Sequence, residues 1–171
     1  MSNQILLETV MIGTMFLFSS GYFFFSKKVL CKKVQVFSIA LLGGFLVMGG
    51  TAKFFPPFAS MFAAQIELSG LPFPVLSSFA GQLGEITAGL LYLLVLFEGK
   101  LISSKIANLA LNGATFLTMI IMSVAVYVHL SPNVPAEVLP LQSKPPMLTI
   151  VVMIISLLVW FYNKGNNKRS N

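Results

Sequence analysis

The chain has 171 residues, of which 56% are hydrophobic and only 9% are charged, and its mean hydropathy is +0.87. Soluble domains carry about 25% charged residues, so this composition excludes an ordinary soluble protein and predicts an integral membrane protein in a lipid bilayer. Four or five spans of about 20 residues would use most of the chain. The sequence therefore predicts a single membrane domain, residues 1–171.

The net charge of +6 comes from basic residues that gather at the edges of apolar stretches. The three clusters are Lys27, Lys28, Lys32 and Lys33; Lys100 and Lys105; and Lys164, Lys168 and Arg169. This pattern is typical of topology signals and of contact with anionic headgroups, and it argues against nucleic acid as a partner. Because cytoplasmic loops carry the excess of lysine and arginine, we expect the N-terminus outside and the C-terminus in the cytoplasm.

Five apolar stretches predict an all-α membrane protein with five spans, at residues 5–25, 34–54, 75–97, 106–130 and 147–162. The first stretch lacks both a basic segment before it and a small-residue cleavage site, so we interpret it as a retained span and not as a signal peptide. A short amphipathic helix near 57–68 is expected to lie in the membrane interface. Residues 163–171 are predicted to form a disordered basic tail.

An acidic residue, Glu85, lies inside the third predicted span. A charge at the centre of a spanning helix costs about 3 kcal/mol on insertion scales, so such groups face the bundle interior and find a partner. Gly81 and Gly89 share its helix face, with Gln82 beside them, which places the carboxylate against another helix. Lys53, at the end of the second predicted span, is the candidate partner.

Further polar residues on spans three and four are candidate neighbours of this centre. They are Tyr92, Asn112, Tyr127 and His129. An amide in a span usually bonds to a neighbouring helix, and a histidine at a span end usually bonds to backbone or water. One histidine, one cysteine and no aspartate exclude the ordinary zinc and dicarboxylate sites, so no metal is predicted.

Two interpretations of the polar centre stay open. In the first, Lys53 and Glu85 form a buried ion pair that fixes which helices pack together. In the second, they line a small polar pocket in which Glu85 binds, or exchanges a proton with, a hydrophobic ligand such as a quinone. A structural ion pair and a ligand site both shift the pKa values of their residues, so the residue types alone do not decide between the two interpretations.

Three short motifs resemble the DoxX-like family of small bacterial membrane proteins. They are Gly-Gly-Thr-Ala-Lys-Phe at 49–54, Ser-Gly-Leu-Pro-Phe-Pro at 69–74, and Gly-Gln-Leu-Gly-Glu-Ile-Thr-Ala-Gly-Leu-Leu at 81–91. The resemblance covers residues 34–162 and implies a four-helix core, to which the span at 5–25 is an addition. It makes Lys53, Gly70, Pro72, Glu85 and Gly89 the family-type positions.

The resemblance also implies a bacterial inner-membrane location and an association with redox physiology, through quinone-linked oxidoreductase subunits. Under this hypothesis, the chain is a quinone- or redox-associated membrane subunit. The alternative is a non-enzymatic assembly or interaction protein, whose partner is another membrane protein and whose Lys53 and Glu85 are structural. The extra first span fits either role, because it can shield a flank of the core or bind a partner.

Overall fold

The structure is a computed structural model in which residues 3–25 and 29–169 are described. Within these ranges the chain forms six α-helices and no strand. The helices are α1 Asn3–Phe25, α2 Leu30–Ala52, α3 Phe58–Ser69, α4 Pro74–Val95, α5 Ser104–Leu130 and α6 Met147–Arg169. All except α3 are long and apolar enough to cross a membrane. The prediction of an all-α membrane protein with five spans is confirmed.

Two helix boundaries differ from the sequence prediction by more than two residues. Helix α2 begins at Leu30, four residues before the predicted start, so Lys32 and Lys33 lie in its first turn. Long lysine side chains can extend from a helix end toward water, so the first turn tolerates them. Lys27 and Lys28 of the same cluster lie outside the described residues.

Helix α6 continues to Arg169, whereas the sequence predicts a disordered tail from residue 163. Part of the reason is a hydrogen bond between helices, because Asn163 Nδ2 donates to Asn108 Oδ1 over 2.6 Å. The Lys164 ammonium also lies 4.7 Å from the centre of the Trp160 ring. The first contact joins the polar end of α6 to α5, and the second lies within α6 itself. Residues 170 and 171 lie outside the described range.

Helices α2 and α4 pack antiparallel through glycines. A Cβ atom on Gly89 would lie 2.7 Å from the Gly43 carbonyl oxygen, and one on Gly50 would lie 2.9 Å from the Gln82 carbonyl oxygen. Small residues allow such backbone approach, which drives helix association in lipid where no hydrophobic effect acts between helices. These two contacts fix the register of α2 against α4.

Helices α5 and α6 complete the core, because α5 packs on α4 and α6 packs against both α5 and α2. Buried Leu42, Leu46, Ala88, Leu111 and Ala114 are its most enclosed apolar residues. Tyr92 is fully buried, and its hydroxyl lies 2.5 Å from Ser156 Oγ on α6 and 3.3 Å from Thr115 Oγ1 on α5. One phenol hydroxyl thus connects three spans.

Helix α1 lies at the edge of this four-helix core. Only 6% of the most apolar 18-residue stretch of α1 is buried, against 33% for the corresponding stretch of α2. It packs on α2 through Met15, which fills the space beside Gly44, and through an edge-to-face contact of the Phe16 and Phe37 rings with 5.4 Å between centroids. Its outward side is apolar, as expected for a helix that faces lipid.

Helix α3 and the segment 131–146 pack on each other over one end of the bundle, and we refer to them together as the cover. The cover has its own small core of Phe62, Ile66, Val134 and Leu139, closed below by Val128 of α5. Gly70 ends α3 in the left-handed conformation at φ 73°, which a residue with a Cβ rarely adopts. At this end of the bundle the spans leave a gap, and the cover closes it.

Candidate functional site

The structure brings the predicted polar centre together. The Lys53 ammonium contacts the Glu85 carboxylate, and Glu85 is 8% exposed. The same ammonium lies 4.4 Å from the centre of the Phe62 ring of α3, within the range of a cation–π interaction. Gln82 Nε2 donates to the Lys53 carbonyl oxygen over 3.0 Å, which satisfies a backbone acceptor at the end of α2.

The register of α2 and α4 explains why the pair forms. Because Gly43 lies beside Gly89 and Gly50 beside Gln82, Lys53 lies opposite Phe79, six residues or about 9 Å from the level of Glu85. Side chains on a helix tilt toward its N-terminus, so the Lys53 side chain extends back along α2 toward the carboxylate. The lysine is therefore a long side chain that reaches inward from a helix end.

A cavity of about 510 Å³ adjoins the ion pair. It begins beside the last two turns of α2 and continues along α4 and α5 to the cover, and its walls are mainly methionine, phenylalanine, leucine and isoleucine side chains. Small-molecule sites have volumes of roughly 300–1,000 Å³ and combine apolar walls with a few polar groups. Lys53, Glu85 and His129 are among the polar groups on these walls.

His129 lies at the covered end of the cavity, on the last turn of α5. It is 5% exposed, and its Nδ1 atom has no hydrogen-bond partner among the described residues. The imidazole interacts with the backbone of Lys144 and Ser143, which is the kind of partner that the sequence favours for a histidine at a span end. The adjacent segment is held in place by Lys144, whose ammonium donates to the carbonyl oxygens of Ser131 and Val134.

Three candidate neighbours lie away from the cavity walls. Asn112 Oδ1 accepts a hydrogen bond from Trp160 Nε1 over 2.8 Å, so this amide connects α5 to α6. The Tyr92 hydroxyl lies in the core, and the Tyr127 hydroxyl donates to the Ser69 carbonyl oxygen over 3.2 Å at the end of α3. Gln82 contacts the backbone of Lys53 but does not line the cavity.

Glu8 of α1 is a further residue of the site, which was not predicted from the sequence. Its carboxylate lines the cavity, accepts the N–H of Leu141 over 2.5 Å and accepts the Gln4 amide over 3.1 Å. Gln4 in turn donates to the Leu139 carbonyl oxygen over 3.1 Å. The first turns of α1 are thus hydrogen-bonded to the cover. The available signal in the sequence was an acid and an amide, Glu8 and Gln4, near the start of an apolar helix. Their partners could not be predicted, because they lie in an irregular segment more than 130 residues away.

The three remaining positions named by the motifs have structural roles. Gly70 ends α3 and Gly89 allows the approach of α2, while Pro72 lies in the turn before α4 and lines the cavity. Among the described residues, no group of three histidine, cysteine, aspartate or glutamate side chains could hold a metal ion. The single cysteine, Cys31, is exposed on the first turn of α2, at the opposite end of that helix from Lys53.

No model of a known protein family matches the chain, and neither does any curated protein or solved structure.

Proposed function

We propose that the protein binds a hydrophobic small molecule of the quinone class in the cavity beside Lys53 and Glu85, as a redox-associated membrane subunit. One observation carries the proposal: an ion pair inside the bundle forms part of the wall of a mainly apolar cavity of ligand size. An ammonium has three donors, and an ionised carboxylate accepts several hydrogen bonds, so the pair has capacity beyond its own contact.

The chemistry of the pair suits a quinone. The Lys53 ammonium can donate a hydrogen bond to a quinone carbonyl oxygen, and the Glu85 carboxylate can accept one from a hydroquinone hydroxyl. The apolar walls suit a ring and an alkyl or isoprenoid chain. The three motifs that resemble the DoxX-like family support the same role, because they include Lys53 and Glu85. With the lysine clusters, they also favour a bacterial inner membrane, with the N-terminus outside and the C-terminus in the cytoplasm.

The test is ligand-dependent thermal stability in lipid nanodiscs. Wild type, Glu85→Gln and Lys53→Met are heated with and without a decyl-substituted 1,4-benzoquinone. A ligand that binds only the folded state at about 100 times its Kd adds about 2.7 kcal/mol of stability. We expect a shift in the wild type that is reduced in both variants. Glu67→Gln removes an exposed acid of α3 that does not line the cavity, and should keep the full shift.

Absence of a shift in the wild type across several quinones would refute ligand binding of this class. The second candidate function, an assembly or interaction protein, would then be favoured. Its supporting observation is that the Lys53 ammonium already has partners within the chain, the Glu85 carboxylate and the face of the Phe62 ring. Helix α1, whose outward side is free of contacts from the four-helix core, would supply the partner surface. Crosslinking in native membranes should then capture a specific complex, and recovery of monomer alone would contradict it.

A further inference from the structure

The two oxygen atoms of the Glu85 carboxylate have different surroundings. Oε1 accepts the Lys53 ammonium, but Oε2 has no hydrogen-bond partner among the described residues. Glu85 is 8% exposed and lines the cavity, and its Oε2 atom keeps accessible surface, unlike the enclosed atoms Thr118 Oγ1 and His129 Nδ1. Buried polar atoms in native proteins are bonded in the large majority of cases. An oxygen that lacks a partner at the wall of a cavity therefore marks a place where a ligand can bond.

A glycine leaves this oxygen open to the cavity. Gly49 of α2 lines the cavity, and a Cβ atom on it would lie 3.7 Å from Glu85 Oε2. Apart from its own stretch of helix, this Cβ would meet no other atom within 4 Å. The next residue differs, because a Cβ on Gly50 would lie 2.9 Å from the Gln82 carbonyl oxygen. Gly49 is thus not required for the packing of α2 on α4, and its lack of a side chain keeps the way to Oε2 clear.

The hydrogen-bond donors on the cavity wall are more fully used than this acceptor. The Lys53 ammonium contacts Glu85 Oε1 and lies 4.4 Å from the centre of the Phe62 ring. The Gln65 amide and the Ser77 hydroxyl, which also line the cavity, each donate to a backbone carbonyl oxygen. The wall therefore has an acceptor left over beside the ion pair.

The charges on the wall favour the same kind of ligand. The acids and lysines that line the cavity provide two carboxylates, those of Glu8 and Glu85, and one ammonium, that of Lys53. The Thr149 hydroxyl also lines the cavity, and because a hydroxyl both donates and accepts, it suits either kind of group. A ligand group that donates a hydrogen bond gains from the free carboxylate oxygen, whereas a group that only accepts meets a second acceptor there.

We infer that the cavity selects the reduced form of its ligand, because a hydroquinone hydroxyl reaches Glu85 over Gly49 and donates to Oε2. This inference rests on the proposed function, and it makes Gly49 a residue that determines specificity. The carbonyl oxygens of a quinone accept hydrogen bonds and have no proton to donate, so the oxidised form lacks this contact. One hydrogen bond to an ionised group contributes enough for a difference of about tenfold in affinity.

The test compares the two redox forms of one ligand. The decyl-substituted 1,4-benzoquinone and its hydroquinone, the latter under anaerobic conditions, are titrated into nanodiscs that hold the protein. Each affinity is taken from the dependence of the melting temperature on ligand concentration. The preference is the affinity for the hydroquinone divided by the affinity for the quinone. Comparing this preference between variants cancels the difference in membrane partitioning of the two forms.

We expect the preference of the wild type to exceed that of Glu85→Gln about tenfold, because a neutral amide is a weaker acceptor than a carboxylate. Gly49→Ala keeps the ion pair and should lower the preference several-fold, since the new methyl group covers Oε2. Its melting temperature without ligand should not fall, because the new Cβ makes only an ordinary contact. Gly113→Ala, the same change away from the cavity, is the matched control and should keep the wild-type preference.

The outcomes separate this inference from the proposed function. If both forms raise the melting temperature of the wild type and the preference is the same in Glu85→Gln, selection of the reduced form is overturned while ligand binding beside the ion pair stands. If the preference falls in Glu85→Gln but not in Gly49→Ala, the approach over Gly49 is overturned. If neither form raises the melting temperature of the wild type, both proposals fail.

Discussion

The Gly89 backbone meets the Gly43 backbone so closely that a Cβ atom on Gly89 would lie 2.7 Å from the Gly43 carbonyl oxygen. The same Cβ would lie 2.7 Å from the backbone nitrogen of Val47. Neither atom belongs to a flexible side chain, so the clash can be relieved only by moving α2 and α4 apart. That movement would also shift Lys53 relative to Glu85, because Lys53 lies at the end of α2 and Glu85 lies on α4.

Gly89→Ala should therefore destabilise the protein, by about 1–3 kcal/mol as for other overpacked sites. The control is Gly113→Ala on α5, where the nearest atom to a new Cβ is Leu91 Cδ1 at 3.6 Å, an ordinary contact. Thermal unfolding in detergent should show a lower melting temperature for the first variant and no loss for the second. Equal melting temperatures would mean that the two helices are not packed at this distance.

Removing one member of the ion pair should cost more stability than removing both. Lys53→Met leaves the Glu85 carboxylate inside the bundle without its cation, and breaking a buried pair in this way costs about 3–5 kcal/mol. The Lys53 side chain is 22% exposed, so solvent screens the pair and the expected loss lies at the lower end of that range. A double-mutant cycle in the absence of ligand, with Lys53→Met, Glu85→Gln and the double variant, measures the coupling. Additive losses would show that the two residues act independently.

Glu8→Ala should loosen the cover without unfolding the bundle. The substitution removes the acceptor for the Leu141 N–H, which links α1 directly to the segment 131–146. It also removes the acceptor that holds the Gln4 amide, which itself donates to the Leu139 carbonyl oxygen of that segment. Hydrogen exchange measured by mass spectrometry should be faster for this segment and unchanged for α4. Glu98→Ala, which removes an exposed acid between α4 and α5, is the control and should leave the exchange of the cover at its wild-type rate.

Tyr92→Phe should destabilise the contact between α4, α5 and α6. The change removes a buried hydroxyl and leaves Ser156, which is fully buried, without that partner. Hydrogen bonds between spans are worth about 0.6 kcal/mol on average and up to about 1.7 kcal/mol, so a loss within that range is expected. Tyr127→Phe is the comparison, because the Tyr127 ring is 53% exposed and its single bond to Ser69 lies at the cover. A larger loss for Tyr127→Phe would contradict this account of the core.

The ion pair could be predicted from the sequence because the membrane leaves few alternatives. Glu85 is an acid in an otherwise apolar span, its helix face carries small residues, and Lys53 is the cation at the end of the preceding predicted span. A charge in such a place must be paired or lie against water, so composition and periodicity led to the partner. The sequence placed Gln82 beside Glu85 on the same span, but it did not predict the bond from Gln82 to the Lys53 carbonyl oxygen.

Other features depend on contacts that have no local signal. The start of α2 at Leu30 was missed because lysines at a helix end resemble loop residues in sequence, although their stems can lie along the bundle. The continuation of α6 depends in part on the bond from Asn163 to Asn108, which comes from a different helix. The partners of Glu8 and the burial of His129 depend on how an irregular segment folds over the bundle, and hydrophobic periodicity carries no information about that.

The end of α2 at Ala52 has a consequence for the space inside the protein. Had this helix continued for two more turns along α4, its side chains would occupy the region that α3 and Pro72 now enclose. The cavity is thus partly the volume of a missing helix segment, and the shorter helix α3 covers it. Its size is set by the length of α2 as well as by the side chains on its walls.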